Sequence, residues 1–512
     1  MESKTTIGAL LKQIENFIEI HSCIYLYGAG DFSGKWQSLL KKMKYKFHGL
    51  IVSEKREDVN YEFPVLSMDD TKDFIPADCG IILALSDIHH EDVKTSFLSF
   101  PVDIFALDDE SVLYLYDYMV LYPLCKLWSR RFPPLPLPEK NDEWSNILVI
   151  RIDVLGDMLM TIPFLRELRK NYPNSKITLL LHKQNYELMK TCPYITRLLI
   201  YEGGLNDCVN ENELLAFAED NLISEQFDAV LTPREFLCGR NLAVECLLTF
   251  FCGARYRVAR MRKFVWRQRL LYPLFKPLFS QMVYQEEPMH EVLGMLDMLD
   301  SCGLKIEDTK MEYWLSSKDK EFARDFFSPY LLDGDEILIA VGLVSRDCAR
   351  TWSASKYMNL MTQVSNIFQG KIGFVLFGGT DACEAEKIVM QADGHLIDAV
   401  GKTGMIQAAA LMEWCDIYLG SNTGLLHFAA ALGKEVVEIS AELPDGKETD
   451  DIHPLRMGAW GVRSFSVMPR TISGKCSGYC RKPYPHCIDN ISVEEVANVL
   501  NRAIAILQLR KE

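Results

Sequence analysis

Long apolar runs are missing from this chain of 512 residues. None reaches the roughly 18 residues that a membrane-spanning helix needs, so no span is expected. A surplus of positive charge is missing as well. Lys and Arg number 55 against 70 Asp and Glu, giving a net charge of −15, and generic nucleic-acid binding through a basic footprint is excluded. No repeat of solenoid period runs through the sequence. Paired cysteine spacing of a disulfide framework is lacking too. The 15 cysteines are scattered, several in apolar segments (Cys246, Cys252, Cys415), as suits buried thiols in a reducing compartment. The opening MESKTTIGALLKQIENFIEI reads as an amphipathic helix rather than a signal peptide. A cytoplasmic protein is expected, with peripheral residence at the inner face of the cell membrane as a further candidate.

What is present describes an ordinary globular protein, with 48% hydrophobic and 24% charged residues. The length calls for two to four domains. A first block, residues 1–129, holds the strand-like CIYLY followed by Gly28, Gly30 and Gly34 and a helical pattern. That glycine spacing is a loosened dinucleotide fingerprint, and the strand–loop–helix context fits a small Rossmann-like accessory domain. Glu54 is the candidate acidic ribose ligand after the second strand. A structural or protein-docking role for the block competes with nucleotide binding.

Residues 130–144 carry Pro133, Pro134, Pro136 and Pro138 and read as a stiff linker. From residue 145 to 325, strand-like ILVIRI (147–152), KITLLL (176–181) and DAVLTP (228–233) alternate with helical patterns, one of them from about 288 to 302. From 326 to 512 the alternation resumes with EILIAVG, KIGFVLFGG, HLIDAV, DIYLGS and EVVEIS. Strands alternating with helices indicate parallel α/β units. The expected fold is α/β, two Rossmann-like lobes facing a cleft, with ligands at the carboxyl ends of the strands.

Two loops carry chemistry. In the first, the strand ILVIRI runs into Gly156-Asp157 and a helix with Pro163 in its first or second turn. A carboxylate at such a junction can act as a general base toward a hydroxyl, or it can be a helix N-cap. In the second, DIYLGSNTGLLHFAAALG places Ser421, Asn422, Thr423, Gly424 and Leu425 at a helix N-terminus. Free N–H groups and the helix dipole there suit a diphosphate. A structural turn capped by Asn422 or Thr423 accounts for the same residues. Ser345, Arg346, Arg350 and Trp352 follow the strand EILIAVG, and an arginine fork suits phosphate contact. Trp352 is expected to pack the helix start.

Arg151, Gly156-Asp157, Pro163, Leu165, Arg169 and Pro173, together with Thr423, Gly424, His427, Ala429 and Ala430, resemble the two signatures of the heptosyltransferase family of glycosyltransferases (family 9). Gly401-Lys402-Thr403 before an Ala-rich helix is similar to that family as well. The resemblance spans residues 146 to 505. It implies a GT-B fold and an enzyme moving heptose or a related sugar from a nucleotide diphosphate donor, ADP-heptose-like, to a lipopolysaccharide-core or other surface glycan. It implies Asp157 as catalytic base and donor contacts from Gly156, Ser345, Arg346, Arg350, Ser421 to Leu425 and His427. Neither metal nor cofactor is implied. The sequence departs from the pattern where Asn422 stands in place of Asp. That departure raises an alternative, a catalytically silent nucleotide-sugar-binding subunit. An NAD-dependent oxidoreductase driven by the first block is a third reading.

Four further features are singled out. Residues 255–276 hold eight Lys and Arg and no acid, a candidate for contact with anionic membrane lipid or a phosphorylated glycolipid. A solvated basic loop fits the same residues. Cys476, Cys480 and Cys487 beside His486 form an open cysteine cluster whose spacing is poor for zinc. Asp333-Gly334-Asp335 reads as a turn. His290 and Glu291 open a helix and are read as structural.

Overall fold

The computed structural model describes residues 6–55, 63–76, 78–98, 100–137, 144–203, 211–236, 242–263, 265–330, 336–345, 347–368, 371–379, 382–443, 453–471 and 485–511. Its strands are β1 (Cys23–Tyr27), β2 (Gly49–Val52), β3 (Val65–Ser67), β4 (Cys79–Leu83), β5 (Asp103–Phe105), β6 (Asn146–Arg151), β7 (Lys176–His182), β8 (Arg197–Tyr201), β9 (Ala229–Glu235), β10 (Tyr256–Arg262), β11 (Gln281–Gln285), β12 (Ile337–Gly342), β13 (Ile372–Phe377), β14 (His395–Asp398), β15 (Ile417–Gly420), β16 (Glu435–Ile439) and β17 (Ser464–Val467). The chain folds into two compact units. One contains Met1–Ile150 and Glu202–Tyr284; the other contains Arg151–Tyr201 and Gln285–Glu512. The segment expected as one lobe at 145–325 is therefore shared between them.

In the first unit a parallel sheet has the order β3-β2-β1-β4-β5. Strand order reverses between β1 and β4, the mark of a doubly wound Rossmann-like sheet. The same unit contains the order β11-β10-β9-β6, with β9 parallel to both β10 and β6. A long helical stretch, Asp109–Arg131, packs against this part. Arg257, which is fully buried, donates to Ser129 Oγ at 3.2 Å and to the Phe132 carbonyl at 3.0 Å.

In the second unit β7 pairs in parallel with β8. A six-stranded parallel sheet has the order β14-β13-β12-β15-β16-β17. Its strands read as continuous apolar runs because both faces are covered. Ile337, Ile339 and Val341 of β12 meet Leu360 and Val364 of the helix Ala354–Phe368 and Leu500 of the helix Val493–Lys511. Leu338 and Ala340, pointing the other way, meet Phe327 and Leu411 on the opposite face. Counted from β12, the order reverses between β12 and β15. Ligands of open α/β sheets sit at the carboxyl ends of the strands flanking such a reversal. Here Gly342 is the direct partner of Gly420, so the loops after both strands leave from one point.

Candidate active site

The helix Leu155–Asn171 is buried nearly all round, from Leu155 through Leu168 with only Asp157 more open. An apolar surface on every side makes it an interior helix. Pro163 lies within it, later than the first two turns where it was expected. Val154 is the N-cap, and Asp157 sits inside the first turn. The capping explanation for this carboxylate is thereby removed. Its backbone carbonyl accepts from Thr161 Oγ1 at 2.8 Å. Its side chain, 19% exposed, faces the wholly buried Arg151, whose Nη2 donates to Asp157 Oδ1 at 3.3 Å. The same Nη2 lies 3.5 Å from Asp153 Oδ2 and 3.4 Å from Glu291 Oε1. One guanidinium thus faces three carboxylates, which offset the cost of burying its charge.

Gly156 is required by a neighbour in the protein. A methyl group there would fall 2.5 Å from His427 Cδ2, and one on Gly424 would fall 2.3 Å from Leu155 Cδ2. The first turns of the 155–171 helix and of the helix Gly424–Ala431 therefore touch, and two glycines permit it. Gly156 thus abuts the His427 ring, and His427 is buried in that contact. Among the described residues His427 Nδ1 has no hydrogen-bond partner. Burial, reinforced by His290 nearby, holds its ring neutral, down to about 3.

Thr423 is the N-cap of the 424–431 helix, yet no side chain caps it. Leu426 N–H turns back to the Thr423 carbonyl at 3.1 Å, and the Gly424 and Leu425 N–H groups, with no side-chain cap, suit an anion as the dipole favours. Asn422, Thr423, Gly424 and Leu425 are half-buried, and Ser421 is buried. Ser421 Oγ donates to the Arg350 carbonyl, and Tyr418 Oη donates to the Ser421 carbonyl at 3.0 Å. Asn422 does not cap the helix. Its Nδ2 donates to the Met457 carbonyl at 2.7 Å and to Glu438 Oε1 at 3.3 Å. Glu438 is buried, which pushes its carboxyl up to about 7 against the pull of Asn422 and Ser466.

His290 ties the same region to the helix Glu291–Asp300. Its Nε2 is 3.1 Å from the Gly458 carbonyl and its Nδ1 accepts from Val292 N at 3.2 Å, so the proton is on Nε2. Burial keeps this ring neutral too, lowered to about 4. Its neighbour Glu291 belongs to the Arg151 cluster. Glu291, read from the sequence as structural, shares Arg151 with Asp157, and Glu438 was not anticipated at all.

Ser345 is buried, with its N–H donating to Thr351 Oγ1 at 3.0 Å. Arg350 lies beside Asp347 at 3.4 Å and is 22% exposed at its side chain. Trp352 is fully buried, donates to the Ile491 carbonyl at 3.2 Å and meets Tyr357 edge-on, as expected of a packing residue. Arg346, Cys476, Cys480 and Asp333 to Asp335 lie outside the described residues. Cys487 is buried. No group of metal-binding type occurs among the described residues.

In the accessory sheet, a methyl group on Gly28 (φ 121°) would strike the Ala84 carbonyl at 2.7 Å, so the glycine serves the neighbouring β4 end. Gly30 is the N-cap of the helix Asp31–Met43, and Gly34 lies inside that helix. Glu54 is exposed. The basic run 255–276 is not a free patch. Arg257, Arg260, Arg262 and Arg267 are buried. Arg267 meets Asp117 and, at 3.2 Å, Glu110; Arg262 meets Glu235. The counter-charges of Arg260, Arg262 and Arg267 come from other segments, which is why the run looked unbalanced, while Arg257 is held by carbonyls and Ser129. Arg255, Lys263, Arg269 and Lys276 remain exposed. Among the described residues no helix is long and apolar enough to cross a membrane.

Residues 247–446 match the model of glycosyltransferase family 9 (heptosyltransferase). A lipopolysaccharide core heptosyltransferase of Haemophilus influenzae is 21% identical over 60% of this chain and 81% of its own. A family 9 glycosyltransferase from Veillonella parvula DSM 2008 superposes with a TM-score of 0.55 at 20% identity, covering 71% of this chain and 98% of that one. The ADP-heptose lipopolysaccharide heptosyltransferase II of Escherichia coli gives 0.50 at 18% identity, over 71% and 99%. Over residues 247–446 the chain is similar to the heptosyltransferases of glycosyltransferase family 9, and it shares the α/β fold of GT-B type of its structural neighbours, with an additional Rossmann-like domain at its N-terminus.

Proposed function

We propose that this enzyme moves a heptose or related sugar from a nucleotide diphosphate donor to a lipopolysaccharide-core or other surface-glycan hydroxyl, with inversion and without a metal. One observation carries the reading: the Asp157 carboxylate, gripped by Arg151, begins the helix whose first turn touches the uncapped N-terminus at Thr423 to Leu425. Asp157 takes the proton of the acceptor hydroxyl as its oxygen attacks the anomeric carbon, and the bond from that carbon to the diphosphate oxygen breaks. The leaving diphosphate is received by the helix N–H groups and by Arg350, charge stabilisation that needs no bound ion. The relatives named for heptose transfer support the choice of sugar and of acceptor class. Exposed Arg255, Lys263, Arg269 and Lys276 suit an anionic glycolipid surface at the cytoplasmic face.

The test is ADP release from ADP-heptose with a purified lipopolysaccharide-core acceptor, with and without EDTA. Transfer that persists in EDTA and falls about 100-fold or more in Asp157→Ala, with donor binding kept, is the expected result. An Asp157→Ala enzyme of undiminished rate removes the assignment of the base. A wild-type rate abolished by EDTA removes the metal-free mechanism.

A further inference from the structure

Asn422 stands where the family signature has an acid, and its surroundings explain why. Both N–H bonds of its amide are spent inward, on the Met457 carbonyl (2.7 Å) and on Glu438 Oε1 (3.3 Å). The Oδ1 atom is left as the amide's acceptor on the half-buried turn that begins the anion site. An aspartate in the same rotamer would set an oxygen against two oxygens. One belongs to a main-chain carbonyl and the other to a buried carboxyl. Glu438 lies on the face of β16 that carries Val436, in register with Gly420. A methyl group on Gly458 would come within 3.2 Å of Glu438 Oε2, so the carboxyl is wedged between the turn and the 457–458 segment. A buried polar group in such a place is retained only with its partners.

We propose that Glu438 is a positioning residue. By holding the Asn422 amide it presents a fixed acceptor oxygen to a hydroxyl of the donor sugar, and the amide and the acid form a matched pair in place of a lone aspartate. Asn422 is then a sugar-reading group rather than a lesion, and the chain is not a silent subunit on its account. The inference rests on the transferase reading for the identity of the ligand but not for the pairing itself.

The experiment is a four-variant cycle: wild type, Asn422→Asp, Glu438→Gln and Asn422→Asp/Glu438→Gln. Each is titrated calorimetrically with ADP and with ADP-heptose, and each is melted without ligand. Asn422→Asp should weaken ADP-heptose about tenfold while leaving ADP within about threefold, a split that general loosening of the lobe would not produce. Glu438→Gln alone should change ADP-heptose less than threefold, and in the double variant the tenfold loss should be largely recovered, since a glutamine amide can donate to the new carboxylate. The apo melts should repeat the coupling, with a lowered Tm in Asn422→Asp rescued in the double variant. Losses that simply multiply, in binding and in melting, overturn the pairing. Equal loss of ADP and ADP-heptose affinity overturns the sugar-reading role. If the wild type binds neither ligand, the transferase reading fails, and the apo melts still decide whether the two side chains act together.

Discussion

The residue with the greatest leverage is Arg151. It is fully buried and faces Asp153, Asp157 and Glu291. Removing one member of a buried charge cluster leaves the others uncompensated, at a cost of about 3–5 kcal/mol. Arg151→Met should therefore lower stability by that order in denaturant titration, more than Asp157→Asn, which retains a hydrogen-bond partner. Gly156→Ala makes a different kind of claim. The added methyl meets a buried ring at 2.5 Å, and overpacking of this sort costs about 1–3 kcal/mol. Adding His427→Ala should return much of that loss; a double variant as unstable as the sum of the singles would show that the two helices are not in contact there.

At the scale of elements, strands and helices could be read closely from the sequence. ILVIRI, KITLLL, EILIAVG and EVVEIS became β6, β7, β12 and β16, and the helix expected from about 288 to 302 is Glu291–Asp300. Continuous β-branched runs and apolar periodicity are local signals, so one chain segment suffices to find them. What pairs with a charge is not local. Arg267 finds Asp117 and Glu110 roughly 150 residues away, and no spacing rule foretells it. Glu438 was illegible for the same reason, since a lone acid in an apolar strand gives no hint that its partner is an amide in the preceding loop. The junction of the 291–300 helix with the 424–431 helix also sets a pH response. His290 and His427 are neutral in the fold at values lowered from 6.5 to about 4 and about 3 by burial. The unfolded chain binds more protons below about pH 6.5, so their contribution is present above that value and is lost as pH falls toward 4. Glu438 acts oppositely. Raised from 4.5 to about 7, it favours the fold at low pH and gives that up as pH climbs through 7. Melting profiles should separate them: His290→Asn flattens the acid limb, Glu438→Gln the neutral one. His290→Asn and Glu438→Gln profiles with the same slopes as wild type would contradict the burial of these groups.

For the molecule as a whole, the N-terminal block is joined to the transferase part by buried polar links rather than by a tether alone. Asp117, which burial raises to about 6 even beside Arg267, and Ser129 belong to the block's last helices; Arg267 and Arg257 belong to the 202–284 segment. A chain shortened to begin at residue 144 should strand both guanidiniums inside an apolar surface and aggregate, whereas Arg267→Met in the full chain should stay folded with a reduced Tm. Soluble, fully active truncated enzyme would show that the block is dispensable for folding.

The second unit is assembled from two stretches of chain, 151–201 and 285–512, and this has a consequence during translation. Arg151 leaves the ribosome 140 residues ahead of Glu291, and the apolar 155–171 helix emerges before either of the surfaces that enclose it. Until synthesis has passed well beyond residue 430, Asp157 sits on a greasy, unclaimed segment in need of a chaperone. Stalled nascent chains should accordingly be cut by protease within 155–171 at every length short of that point and protected after it.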